Sequence, residues 1–243
     1  MSQTARAQMV PGLRLGFKSR TLEFRIQAKD LQSAYRITPT GGIQMLPDPK
    51  TAVVADEVVK IHVEEGPDGN GRLRLNRGDS SYELLLRPDN GLAAASFVTG
   101  LPFGYNFLPK EGQANAGESW IQEFPAPEAS AGLRVNTTYR YTLIGGKKSP
   151  GCELCAMIQL EGTRRFLPGP SLDQALAEVP EVQSSDFYLK DRTFAVGMVF
   201  FDQKKRFIHR FELNANPSLL TLLPIPGLMR QVILEYPEVA LEE

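Results

Sequence analysis

The 243-residue sequence predicts a mainly β protein: an antiparallel β-sandwich or half-barrel in two lobes, with one or two short helices. Three observations carry this. Apolar and polar residues alternate with period two through one segment after another, as in strands with one buried face. The chain's 21 glycines and 18 prolines supply turn chemistry between those segments. Helix-period stretches are short and few. The 42% hydrophobic and 23% charged content fits a globular chain with a core rather than a disordered one. A formal net charge of −1 gives no global pull toward nucleic acid. No apolar run reaches the ~18–20 residues that a membrane-spanning helix needs.

The first strand is residues 21–28, where Leu22, Phe24, Ile26 and Ala28 face one way and Glu23, Arg25 and Gln27 the other. Residues 58–64 repeat the pattern with Val59, Ile61 and Val63 against Lys60, His62 and Glu64. A hairpin follows: Leu73 and Leu75 alternate, Gly78-Asp79-Ser80 turns the chain, and Tyr82, Leu84 and Leu86 alternate again. Residues 101–117 hold Pro102, Gly104, Pro109, Gly112 and Gly117 and no sustained period, so they read as a connector. Trp120 then opens a new strand.

Beyond it the alternation lengthens. Residues 133–143 set Leu133, Val135, Thr137, Tyr139, Tyr141 and Leu143 on one face. Residues 145–151 break the chain, and 152–161 resume with Cys152, Leu154, Ala156, Ile158 and Leu160 on the apolar side, which makes a long antiparallel hairpin. Residues 194–201 are apolar on both faces: Phe194, Val196, Met198 and Phe200 on one, Val199 and Phe201 on the other. That predicts an interior strand needing cover on both sides. A turn at 202–205 leads to a strand with Phe207, His209, Phe211 and Leu213 inward, and residues 229–236 form a closing strand. Two short helical turns are expected, at 171–179 and 216–222, and residues 219–226 read as an internal apolar lid. The core expected from these patterns is Leu22, Phe24, Ile26, Val59, Ile61, Leu84, Tyr141, Leu143, Leu154, Ile158, Val199 and Phe211. The expected domains are an N-terminal β lobe (1–100), a connector (101–117) and a C-terminal β lobe (118–243), with one continuous β architecture as the alternative.

Residues that carry chemistry are scarce. Cys152-Glu153-Leu154-Cys155 has the spacing of a redox pair or half a zinc site. On a flat strand, however, residues three apart face opposite sides. The expectation is one core cysteine (Cys152) and one on the other face, with a structural disulfide or a metal or catalytic role as alternatives. A bulge or the preceding Pro-Gly turn would be needed to bring the sulfurs together. His209 reads as a hydrogen-bonded core histidine and His62 as a solvated one. The carboxylates Glu64, Glu65, Asp186, Asp191, Asp202 and Glu212 fall at strand ends, turns or outward positions, where solvation is the ordinary fate. A converging pair, as in glycosidases, is the alternative. Residues 204–210 mix Lys204, Lys205, Arg206 and Arg210 with inward aromatics; they read as a solvated hairpin tip, with phosphate binding as the other option. Asn136-Thr137-Thr138 is a glycosylation sequon.

The run Phe107-Leu108-Pro109, Gly117-Glu118-Ser119-Trp120, Tyr139-Arg140-Tyr141-Thr142-Leu143, Cys155-Ala156-Met157-Ile158 and Gly197-Met198-Val199-Phe200-Phe201-Asp202 resembles a group of functionally uncharacterised bacterial β-rich proteins, mostly exported or lipid-anchored. The resemblance covers about half of the chain. It implies an envelope location and a curved sheet of the kind that holds lipids or lipoproteins in a groove, and it brings no catalytic residues. Residues 1–12 contain no apolar run of signal-peptide type. The expected location is therefore cytoplasmic if the chain is complete, or cell envelope or periplasm if a leader was trimmed.

Few nucleophiles, bases and metal ligands against abundant sheet point to a non-enzymatic binding or assembly protein. It is expected to contact another protein or a second copy of itself, through edges such as Leu84-Leu85-Leu86 or Phe200-Phe201. The alternatives are a carrier of an apolar ligand or lipid in a sheet groove, or a carboxylate-dependent hydrolase. No catalytic, cofactor-binding or metal residues are assigned; neither a cofactor nor a nucleic-acid partner is expected.

Overall fold

A computed structural model describes residues 9–32, 35–37, 43–45, 50–94, 106–125, 133–168, 192–215 and 228–235. Fifteen strands appear among them: β1 (Met9–Val10), β2 (Arg20–Gln32), β3 (Tyr35–Ile37), β4 (Ile43–Met45), β5 (Lys50–Glu65), β6 (Gly71–Arg77), β7 (Ser80–Leu86), β8 (Leu92–Ala94), β9 (Ala114–Asn115), β10 (Ser119–Pro125), β11 (Leu133–Ser149), β12 (Cys152–Pro168), β13 (Arg192–Asp202), β14 (Phe207–Ala215) and β15 (Leu228–Glu235). Eleven form one antiparallel sheet, in the order β10-β11-β12-β13-β14-β15-β2-β5-β6-β7-β8, curled into a half-barrel. The remaining four make two small ladders, β1 with β9 and β3 with β4. The only helical element among the described residues is a 3-10 turn at Pro67–Gly69. The expected short helices at 171–179 and 216–222, and the lid at 219–226, lie outside the described residues.

The alternating apolar positions of neighbouring strands point to the same, inner side. Leu22, Phe24 and Ile26 of β2 meet Val59, Ile61 and Val63 of β5, then Leu73 and Leu75, then Leu84 and Leu86; each is buried. Across the sheet, Tyr141 and Leu143 of β11, Ile158 and Leu160 of β12, Val199 and Phe201 of β13, and Phe211 of β14 complete the same cluster. The closing strand β15 joins β14 to β2, so the sheet runs unbroken through strands on both sides of residues 101–117. Residues 78–79 turn the β6–β7 hairpin, with Gly78 at φ 55° as the favoured glycine-first hairpin turn requires.

One end of the half-barrel is stopped by the segment between β1 and β2, which we call the strap. Its backbone N–H groups bond three separate pieces of chain: Leu13 to Gly112 O, Leu15 to Pro88 O and Gly16 to Arg206 O, each at 2.8 Å. Arg206 returns the favour, donating to Arg14 O at 3.2 Å and Leu15 O at 3.3 Å. Between these ties, Leu13, Leu15 and Phe17 descend into the core beside Phe107 and Leu108. Full burial of such side chains is worth about 1.5–3 kcal/mol each. Gly71 makes room for Phe17, since a Cβ there would stand 2.0 Å from the ring.

Four expectations are corrected, the first three by bulges. Strand β11 runs on through the glycines and lysines at 145–149, with register shifts between Leu143 and Gly145 and between Lys147 and Ser149; only Pro150-Gly151 interrupt the hairpin. Leu154 is therefore not in the core but 52% exposed: Glu153 and Leu154 both swing outward, and Cys155 and Ala156 are both buried. In β14 a shift opposite Phe200 and Phe201 buries Phe207 and Ile208 consecutively and leaves His209 as the half-buried extra residue, not an inward one. Finally, β13 is interior to the sheet but is not covered on both sides. Ala195, Val199 and Phe201 are buried, Val196 is exposed, and Met198 and Phe200 are half-buried among Gln159, Glu161, Arg210 and Glu212 of the flanking strands.

Candidate binding surface on the curled sheet

At the end away from the strap, the inner face stops being purely apolar. Glu57 precedes Val59 by two residues and Arg77 follows Leu75 by two, so strand parity turns both inward. Arg77 donates to Glu57 Oε1 from Nε at 2.9 Å and Nη2 at 2.6 Å. That hydrogen bond to Glu57 raises the Arg77 pKa above the ordinary arginine value, against the opposing effect of burial and with help from the charges of Glu57 and Tyr82. The pair is a fixed charged group at the rim of the core.

A second inward group lies on the opposite flank. Trp120 pairs in register with Tyr141, and Gln122 with Tyr139. The rings stack in a row, Trp120 on Tyr141 at 6.1 Å and Tyr141 on Tyr139 at 6.4 Å, with planes 25° and 24° apart. Arg164 of β12, opposite Thr137, continues this face. Trp120 Nε1 and Gln122 Oε1 are both shielded from solvent and make no hydrogen bond. A buried donor or acceptor left unmade costs about 1–3 kcal/mol. Here one of each stands two residues apart on one strand face, a spacing of about 7 Å.

The strand that carries them is an edge. β10 pairs with β11 on one side, and on its other side no strand pairs with it among the described residues. Its outer face shows Ile121 at 56% exposure.

No protein-family model matches the chain, no curated protein matches its sequence, and no solved structure matches its fold. Function must be read from the geometry.

The residues singled out in the sequence fall elsewhere. Cys152 and Cys155 form a disulfide, both sulfurs buried in the core, rather than one cysteine on each face. Their Cα atoms are 5.7 Å apart, where three residues of flat strand would span about 10 Å. The bulge in β12 itself, where three residues from Cys152 to Cys155 span two of β11 beside the Pro150-Gly151 turn, supplies the bend. His62 shares a hydrogen bond with Thr21 Oγ1 at 3.2 Å across β2 and β5. His209 Nε2–H donates to Pro150 O at 3.0 Å, which ties two neighbouring hairpins together.

Each described carboxylate of the earlier set has a local setting. Glu64 lies beside Arg72 and Arg74, and Glu212 beside Arg210. Glu65 is exposed at the end of β5. Asp202, 3% exposed, accepts the backbone N–H of Lys204 and of Lys205 at 2.9 Å. Asp186 and Asp191 lie outside the described residues. Asn136 is exposed on β11. No group of three or more His, Cys, Asp or Glu side chains is poised for a metal among the described residues, and no helix there is long and apolar enough to cross a membrane.

Sequence reasoning passed over Trp120, Gln122, Glu57 and Arg77. For Gln122, Glu57 and Arg77 a signal existed: a polar or charged residue on the apolar parity of its strand.

Proposed function

We propose that the protein is a non-enzymatic binding module, in which edge strand β10 receives an extended segment of a partner polypeptide. The observation that carries this reading is the edge itself: among the described residues no strand pairs with β10 on the side away from β11. The indole N–H of Trp120 and the amide oxygen of Gln122 lie on the inner face of the same strand, each without a hydrogen bond. An added strand would use the main-chain groups of β10 that face away from β11, and exposed Ile121 would gain a neighbour across the new pair. The partner is another protein or a second copy of this chain.

The Cys152–Cys155 bridge supports work in an oxidising compartment, which agrees with the likeness to exported or lipid-anchored bacterial proteins. The apolar-carrier reading draws on the same concave face. Leu13, Leu15, Phe17 and Phe107 fill the strap end of that face, which leaves a cargo only the far end. A carboxylate hydrolase gains no support from Glu64, Asp202 or Glu212, each held by its own neighbours.

Site-specific photo-crosslinking tests the strand-addition reading. A photoreactive residue at Ile121 should give protein adducts that map to one extended segment. The same group at Val58, exposed on an interior strand, should give none. Equal labelling from both positions would sink the proposal.

A further inference from the structure

The strap end of the half-barrel carries a second surface. Two hairpin tips, β11–β12 and β13–β14, stand side by side there. Gln203 N–H donates to Leu154 O at 3.0 Å, Lys204 Nζ lies 3.3 Å from Glu153 Oε2, and the His209–Pro150 bond joins the same two hairpins. Lys147 and Lys148 project from one tip and Lys204 and Lys205 from the other, all exposed. Arg206 adds a fifth cation. The acids on these tips are Glu153 and Asp202, and Asp202 is buried against its own turn amides. In a chain of 27 cationic and 28 acidic residues, this is a local segregation of charge. Leu154 sits within it at 52% exposure, turned out by the disulfide-linked bulge, and Ile144 is 45% exposed three residues before Lys147.

We infer that these two tips dock the protein on an anionic lipid surface. Lysines attract the headgroups, and the protruding leucine and isoleucine enter the boundary with the acyl chains. The aliphatic residues decide between this occupant and nucleic acid, which the same charges would attract. A single strand is held by exposed aromatic platforms, and the aromatic residue at this tip, Phe207, is buried. The ion pair between Lys204 and Glu153 does not oppose docking, because both side chains are about three-quarters exposed and such pairs hold weakly.

Vesicle flotation tests the assignment on the full chain. The wild-type protein should float with phosphatidylcholine vesicles containing phosphatidylglycerol, remain behind with pure phosphatidylcholine, and be released by high salt. A lysine near such a surface contributes about fivefold to partitioning. Reversing either tip, by Lys147→Glu with Lys148→Glu or by Lys204→Glu with Lys205→Glu, should therefore weaken binding by at least about 25-fold. Leu154→Ser should weaken it several-fold with no change in charge. Lys60→Glu with Arg140→Glu makes the same charge change on exposed residues elsewhere and should cost far less. Unfolding midpoints serve as the control for folding in every variant. The inference is overturned if the wild type ignores anionic vesicles, or if the control pair loses as much as the tips. Binding of poly-glutamate or single-stranded DNA as tightly as vesicles would overturn it too.

Discussion

Asp56 shows how much a single exposed contact between strands can do. Arg25 holds it with two hydrogen bonds, Nε to Oδ1 and Nη2 to Oδ2, each 2.9 Å, and these bonds lower the carboxyl pKa below the ordinary aspartate range. A depressed folded-state pKa contributes stability above the unfolded-state value, and that contribution fades as pH falls through the folded-state value. The carboxyl resonance of Asp56 should thus titrate below that of an ordinary aspartate, and Arg25→Ala should move its midpoint upward; an unmoved midpoint would refute the assignment. Gly71 poses a steric test instead. Its missing Cβ is the space Phe17 occupies, so Gly71→Ala should cost about 1–3 kcal/mol in denaturant unfolding. The disulfide closes a loop of only four residues, for which chain entropy predicts about 2 kcal/mol. Cys152→Ser with Cys155→Ser should lower the unfolding midpoint accordingly, and in the folded protein the buried bridge should resist mild reductants.

The strap is the element most exposed to a decisive experiment. It crosses the end of the barrel on three backbone hydrogen bonds, to Gly112, Pro88 and Arg206, with two more from the Arg206 guanidinium. Leu13→Ala should cost about 2–5 kcal/mol, as for a fully buried leucine, whereas Arg206→Ala should mainly loosen the crossing and raise amide exchange at Leu15 and Gly16. Nothing in the composition of residues 11–19 announced this role. Leu13, Leu15 and Phe17 do alternate with Arg14, Gly16 and Lys18, as their burial requires, but the strap's partners lie about 70 to 190 residues away in the chain, where local pattern cannot reach. The regular strands were legible for the opposite reason. Alternation over residues 21–28, 58–64 and 133–143 encodes which face is buried, and the structure buries Leu22, Phe24, Val59, Ile61, Tyr141 and Leu143 as that pattern requires. Legibility failed at Leu154 and His209 because one inserted residue resets the parity of everything beyond it, and a bulge leaves little trace in the sequence. The inward polar groups Glu57, Arg77 and Gln122 were legible in principle, as breaks in an apolar parity, but only a known register shows which breaks share a face.

For the whole molecule, the core is one cluster that takes side chains from the strap and from every long strand whose side chains are described, from β2 to β14. Calorimetry should accordingly show a single cooperative transition; two resolved transitions would mean that the halves hold separate cores. The order of the sheet has a further meaning for how the chain is made. β2, which leaves the ribosome well before β15, is flanked by β5 and by β15, the last strand described. Until residues 228–235 emerge, a nascent chain carries two bare interior edges, on β2 and on β14, at the centre of what will become the sheet. Such edges invite pairing between neighbouring chains. Synthesis stopped at residue 227 should therefore yield a product that associates or is captured by holding chaperones, and adding the peptide 228–235 in trans should suppress that association by supplying the missing strand.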